Sequence, residues 1–202
     1  MTMYTIGALM DVVGHEIEHG PNALSSHPGY ARDVLSNGMA RVLSHQSVQR
    51  YGATDSHMFK EAVHAAYWRA QGLCESPIER HLLAALVTGH WPQNDQPILP
   101  VHSLASGAPF PDAEVVLVPQ FPIARYRLDF ALLIRRGPRP SCILAIECDG
   151  ADFHDASRDR ERDRQLYRMG VLTARVSGAV LHADPIHYAD RVIAFALELA
   201  IK

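Results

Sequence analysis

Three carboxylates lie within apolar segments of the chain, where charged residues are unusual. Polarity alternates over residues 125–133, so Asp129 shares one strand face with Arg127. In the next apolar segment, Glu147 and Asp149 are two positions apart on one face, roughly 6.6 Å along a strand. This spacing predicts a group of acids on one side of a sheet.

The pairing of the two segments sharpens this prediction. An antiparallel hairpin centred on Pro138 would place Asp129 directly opposite Glu147, with Cβ atoms about 5 Å apart. Carboxylates at that distance repel each other unless they are protonated or bridged by a cation. Oxygen ligands completed by water suit Mg²⁺ or Mn²⁺, which can activate water and stabilise a phosphodiester transition state. Taken singly, any one of these acids is better explained as an edge-strand charge or as a salt-bridge partner of Arg125 or Arg127, but the three acids together favour a metal site.

The elements that position these acids follow from the same sequence. The segment Ser76-Pro77-Ile78-Glu79 favours a helix start with a serine N-cap and a capping box. The polarity pattern then predicts strands at 114–119, 125–134 and 142–149, a charged helix at 155–169, a strand at 171–176 and a helix at 186–200. The order helix, three strands, helix, strand, helix predicts an α/β fold, with a mixed sheet flanked by helices.

Residues 1–72 have a different pattern and predict a helical extension that precedes a domain at 73–202. Helices are expected at 4–19, at 30–49 and from about 55 to 71. The last of them carries Phe59, Val63 and Tyr67 along one face. The extension could bind substrate, a protein partner or another copy of the chain.

Composition limits the classes of function. Hydrophobic residues make up 48% of the 202 residues, enough for a packed core, and no apolar run is long enough to span a membrane. The start of the chain lacks a secretory signal, and three cysteines without a CxxC pair suit a reducing environment, so we expect a cytoplasmic protein. Because the net charge is -3, nucleic-acid binding would depend on a local basic surface, for which arginines at 125–139 and 158–168 are candidates.

These segments together resemble the PD-(D/E)XK nuclease superfamily, in the branch similar to very-short-patch-repair endonucleases and small uncharacterised endonuclease domains. That branch typically has Ser-Pro-Ile-Glu on a helix, Asp-Phe on a strand, Glu-x-Asp-Gly-x-x-x-His, an Asp/Arg-rich helix and a strand ending in arginine. The matching segments are 76–79, 127–130, 146–154, 159–166 and 171–175. The resemblance covers about 76–202, and residues 1–70 have no counterpart in it.

The resemblance implies a restriction-endonuclease-like core in which Asp129 and Glu147 bind the metal ion. Asp149 stands where the superfamily has lysine and joins the predicted ligands, which leaves the general base unassigned. His154 is a candidate for the base or for stabilising the leaving group, with a capping or structural role as the alternative. Glu79 could reach the metal from its helix or serve only in the capping box.

Arginines complete the predicted site. Arg127, Arg162 and Arg175 are candidates for binding phosphate or for bracing the carboxylates. The expected reaction is Mg²⁺- or Mn²⁺-dependent hydrolysis of phosphodiester bonds in nucleic acid, in DNA rather than RNA, without a membrane partner.

Two other functions fit parts of the sequence. Residues 15–19 match the HExxH motif of zinc peptidases, in which two histidines on one helix face bind Zn²⁺ and the glutamate is the base. The charge of Glu18 and the helix-ending Gly20-Pro21 argue against that function. The non-enzymatic alternative is a nuclease-like fold kept as a DNA-binding or assembly module. The three acids argue against it, because a surface that binds phosphate gains nothing from negative charges.

Overall fold

The computed structural model describes residues 34, 36–37, 52–89, 99–135, 140–149 and 156–201. From residue 52 onward, its helices and strands are α1 (Gly52–Ala70), α2 (Pro77–Val87), β1 (Val115–Ile123), β2 (Tyr126–Arg135), β3 (Pro140–Asp149), α3 (Ala156–Arg168), β4 (Val171–Ser177), α4 (Gly178–Ala183) and α5 (Pro185–Ile201). The predicted order is therefore confirmed from α2 onward, with the short helix α4 as an addition before α5. Every helix in the described ranges is too short or too polar to cross a membrane.

Four strands form one mixed sheet in the order β1-β2-β3-β4. The first three strands are antiparallel neighbours, whereas β4 runs parallel to β3. A parallel neighbour requires a crossover connection, and α3 lies in the connection between β3 and β4. The fold class is α/β, as predicted.

Helices cover both faces of the sheet. On one face, Phe130 of β2 belongs to a buried cluster with Leu82 of α2 and with residues of α5. On the other face, Ala131 belongs to a second cluster with Leu166 of α3. Because side chains alternate along a strand, Asp129 is directed to the face that α3 covers, like Ala131.

The register between β2 and β3 is the predicted one. Phe130 pairs with Ile146, and Leu132 pairs with Leu144, as they do in a hairpin that places Asp129 opposite Glu147. Residues 130–134 of β2 are buried on both faces of the sheet, so this register packs apolar side chains against the helices on either side.

Ser76 begins α2 as the sequence predicts. Its Oγ accepts a hydrogen bond from the Glu79 N–H (3.2 Å), and Pro77 occupies the first turn, where a missing N–H is tolerated. The Glu79 carboxylate accepts a hydrogen bond from the Glu75 N–H (3.0 Å). In the predicted capping box it would accept from the N–H of Ser76, one residue later. The helix then buries every residue from 81 to 87, which holds Glu79 close to the sheet.

β1 is longer than predicted. The sequence pattern ends the strand at Pro119, but it continues through Pro122 to Ile123. β1 lies at the edge of the strand order, where proline is tolerated because one side of the strand need not pair. Part of this outer side is covered, since Leu117 exchanges hydrogen bonds of 2.9 Å with residues 100–102.

α1 begins earlier than predicted, at Gly52 instead of near residue 55. Its side chains Val63 and Tyr67, two members of the predicted stripe, lie in the same buried cluster as Leu82 of α2. The predicted helix at 4–19, the HExxH segment and most of 30–49 lie outside the described residues. The boundary between residues 72 and 73 and the role of the extension stay predictions.

Candidate active site

Asp129 of β2 anchors its carboxylate on the neighbouring strand. Its Oδ2 accepts a hydrogen bond from the backbone N–H of Cys148 in β3 (2.8 Å). The last backbone pair at this end of the ladder is Phe130 with Ile146, so Asp129 and Glu147 are the next residues on their strands. The structure thus brings two of the predicted ligands together at one end of the β2–β3 hairpin.

Burial makes both carboxylates difficult to ionise. Loss of water raises the pKa of Glu147 to about 7, and the charge of Asp129 adds to the rise. Burial also raises the pKa of Asp129; the Cys148 hydrogen bond opposes this rise, and the charge of Glu79 adds to it. Negative charge is therefore costly at this pair, and a cation would lower that cost.

Arg162 of α3 contacts Glu147 on the face of the sheet that this helix covers. Its Nη2 donates to the Glu147 Oε1 (2.7 Å) and to the backbone carbonyl of Arg127 (3.2 Å). The ion pair lowers the pKa of Glu147, but by less than burial raises it. Of the two roles predicted for Arg162, this contact is the one expected for bracing a carboxylate.

Asp149 is held differently from the other two acids. Arg175 of β4 donates through Nη1 to the Asp149 Oδ1 (3.1 Å) and through Nη2 to the Asp163 Oδ1 of α3 (2.9 Å). Arg175 is also the register partner of Glu147 between β3 and β4, which places it beside the site. Asp149 therefore has a cationic partner, as Glu147 has in Arg162, and its side chain is more exposed than that of Glu147 (24% against 5%).

Gln120 of β1 is a residue of this site that the sequence pattern did not reveal. Its Nε2 donates to the Glu79 Oε2 (2.9 Å), which links the buried carboxylate of α2 to the sheet. In the β1–β2 register, Gln120 and Asp129 lie between the pairs Pro119 with Phe130 and Phe121 with Leu128. The one signal in the sequence is a single amide side chain in an apolar run between Pro119 and Pro122.

Two exposed arginines lie at and beside the β1–β2 turn. Arg127 forms an ion pair with Glu75. Arg125 donates to two neutral oxygens, the hydroxyl of the neighbouring tyrosine (2.9 Å) and the Oε1 of Gln165 (2.8 Å). Within the described ranges neither arginine pairs with Asp129, so the salt-bridge alternative for that acid is not realised, and Arg125 has no acidic partner.

His154 lies outside the described residues, so its predicted role stays a prediction. In the part of the chain that the structure describes, no group of three or more His, Cys, Asp or Glu side chains is arranged to hold a metal ion. The pair Asp129 and Glu147 nevertheless fits Mg²⁺ in its chemistry, because this ion is usually bound through one or two carboxylates with water in its other positions.

Comparisons with models of known protein families, with curated proteins and with solved structures find no match for this chain. The structure itself shows an α/β fold with a four-stranded mixed sheet and a pair of carboxylates at one end of the β2–β3 hairpin.

Proposed function

We propose that the chain is a metal-dependent nuclease that hydrolyses phosphodiester bonds, with DNA as the preferred substrate over RNA. One observation carries the proposal: Asp129 and Glu147 lie on adjacent antiparallel strands, and both have raised pKa values. Such a pair is unfavourable in an empty protein and becomes favourable when a divalent cation joins the two acids. The order of elements from α2 to α5 supports a restriction-endonuclease-like core of the PD-(D/E)XK type at 73–202.

In this proposal, Asp129 and Glu147 hold Mg²⁺ or Mn²⁺ through carboxylate oxygens. The bound ion supplies activation of water and stabilisation of charge on the phosphoryl oxygens. The protein orients the ligands: the Cys148 N–H fixes the Asp129 Oδ2, and Arg162 fixes the Glu147 Oε1. Each carboxylate uses one oxygen in these bonds, which leaves its second oxygen for the cation.

The β1–β2 turn is the part of the surface that we assign to the nucleic-acid backbone. Arg125 carries a charge that no described acid neutralises, and its guanidinium group is held in place by neutral acceptors. The guanidinium groups of Arg125 and Arg162 both lie over the ring of Tyr126, at 5.1 Å and 5.7 Å from its centroid. Arg125 also donates to Gln165 of α3, the helix that carries Arg162, so a phosphate bound by Arg125 would lie on the side of the sheet where Arg162 holds Glu147.

The direct test is incubation of the purified protein with single- and double-stranded DNA and RNA, in EDTA, Mg²⁺ or Mn²⁺. We expect cleavage only with a divalent ion, and loss of cleavage in Asp129→Ala and in Glu147→Ala with the fold retained by circular dichroism. Glu198→Gln is the matched control, because it removes an exposed acid of α5 and should cleave like the wild type.

Two outcomes would count against the proposal in different ways. Full activity in either alanine variant would falsify the assignment of that residue as a metal ligand. A wild-type protein that cleaves none of the four substrates with either ion would contradict the nuclease function itself.

A further inference from the structure

The backbone of Gln120 is in a conformation that residues with a side chain rarely adopt. Its φ is 51°, in the left-handed region. Among the non-glycine residues that the structure describes, only Ala124 shares a positive φ, and it lies in the two-residue turn between β1 and β2. A left-handed residue is ordinary in such a turn, but one inside a strand requires compensating interactions.

The side chain of Gln120 links two parts of the site. Its Nε2 donates to the Glu79 Oε2 (2.9 Å), and the same oxygen accepts from the Glu75 N–H (3.0 Å). Two donors, one from the segment before α2 and one from β1, thus fix the Glu79 carboxylate in the first turn of α2. Gln120 and Asp129 occupy the positions between the register pairs Pro119 with Phe130 and Phe121 with Leu128. The charge of Glu79 raises the pKa of Asp129, so the carboxylate that Gln120 holds lies near the acid of β2.

The other end of the same amide lacks a donor within the described part of the chain. The Oε1 of Gln120 is buried and accepts no hydrogen bond there. Buried acceptors nearly always have a donor in native proteins. The ionised carboxylates of Glu79 and Asp129 can only accept hydrogen bonds, whereas a water molecule can donate one to this oxygen.

We propose that Gln120 is a positioning residue of the metal site. Its Nε2 orients Glu79, and Asp129 and Glu147 would hold the cation, with the free Oε1 of Gln120 available to accept a hydrogen bond from water in the site. A cation makes its bound water a stronger donor, which suits an amide oxygen. The inference rests on the proposed nuclease function, and it accounts for an unfavourable backbone conformation in the strand next to that of Asp129.

Two substitutions separate this role from a purely structural one. Gln120→Gly removes both polar side-chain atoms and also relieves the strain of the left-handed backbone. Gln120→Met removes the polar atoms but keeps the side-chain length and the backbone strain. Ala124→Gly is the matched control, because it relieves the same backbone conformation where no polar side-chain atom is lost. The melting temperature in EDTA reports on the fold. The Mn²⁺-induced rise in melting temperature and the Mn²⁺ concentration for half-maximal cleavage report on the metal site.

We expect Gln120→Gly to melt in EDTA close to the wild-type temperature and to require roughly 10- to 100-fold more Mn²⁺ for both responses, the range typical of residues that orient metal ligands. Gln120→Met should show the same loss of response, and Ala124→Gly should respond like the wild type. If Gln120→Met does not fold, the glycine variant decides alone.

Wild-type Mn²⁺ dependence in Gln120→Gly would overturn the role of Gln120 and leave the nuclease function in place. A wild-type protein with neither a Mn²⁺-induced rise in melting temperature nor cleavage would overturn both.

Discussion

Glu147 and Arg162 form an ion pair of 2.7 Å in which the carboxylate side chain is 5% exposed and the arginine side chain 25%. The cost of removing a charge from water can exceed the attraction to a partner, and here the pKa of Glu147 stays raised at about 7. The charge of Arg162 therefore does not fully offset the cost of burying the ionised Glu147 carboxylate.

Stability in EDTA should fall as the pH rises through the pKa of Glu147. This pKa is about 7 in the folded state against an ordinary value of 4.5, so the folded protein binds more protons between these values. The loss over this window is of order 3 kcal/mol. Glu147→Gln cannot ionise and should show a smaller loss between about pH 5 and pH 8, measured as the urea midpoint in EDTA. An equal loss in the variant would mean that Glu147 is not the titrating group.

Asp129→Asn should remove the repulsion between this carboxylate and Glu147 while keeping the shape of the side chain. The asparagine Oδ1 can still accept from the Cys148 N–H, so in EDTA the variant should melt no lower than the wild type. It should also lose most of the stabilisation by Mn²⁺, which for the wild type is about 2.7 kcal/mol at a hundredfold excess over Kd. Differential scanning fluorimetry with and without Mn²⁺ measures both effects. A variant that melts lower and responds to Mn²⁺ normally would show that Asp129 is a structural residue.

Arg125→Gln should weaken DNA binding in a salt-dependent way. Loss of one phosphate contact reduces the slope of log K against log salt concentration by about 0.9 on duplex DNA. Fluorescence anisotropy in EDTA, where hydrolysis is blocked, measures this slope. Arg191→Gln, at an exposed position of α5, is the control and should keep the wild-type slope. Equal slopes in both variants would remove the β1–β2 turn from the proposed binding surface.

His15→Ala combined with His19→Ala should leave nucleic-acid cleavage unchanged, since the predicted metal site uses neither residue. The two histidines belong to the HExxH segment, which lies outside the described residues. Zinc content by elemental analysis and a peptidase assay complete the test. Stoichiometric zinc in the wild type that is lost in the double variant would favour the peptidase alternative.

The pairing of the hairpin that carries the acids could be predicted from the positions of its two apolar segments along the chain. An antiparallel hairpin centred on Pro138 puts Phe130 opposite Ile146, as in the structure. That register places Asp129 next to Glu147. The part of the site that depends on this short-range pairing was therefore predictable from the sequence.

The conformations of Glu79 and Gln120 could not be predicted in the same way. Their hydrogen bond joins residues 41 positions apart, so it depends on how α2 packs against β1 and on nothing within either segment. The Arg175 contacts with Asp149 and Asp163 likewise arise only when β4 and α3 dock on β3. α4 has six residues, too few for a helical period to be recognised.

The outer edge of β1 is closed to an additional strand. Leu117 donates to the Pro100 carbonyl and accepts from the His102 N–H, and Pro119, next on the same side of the strand, has no N–H. Open strand edges are the usual starting points for aggregation and for strand exchange between molecules, and proteins block them by such means. Two successive positions are blocked here, so a second copy of the chain cannot lengthen the sheet along this stretch of β1, and self-association would have to use another surface.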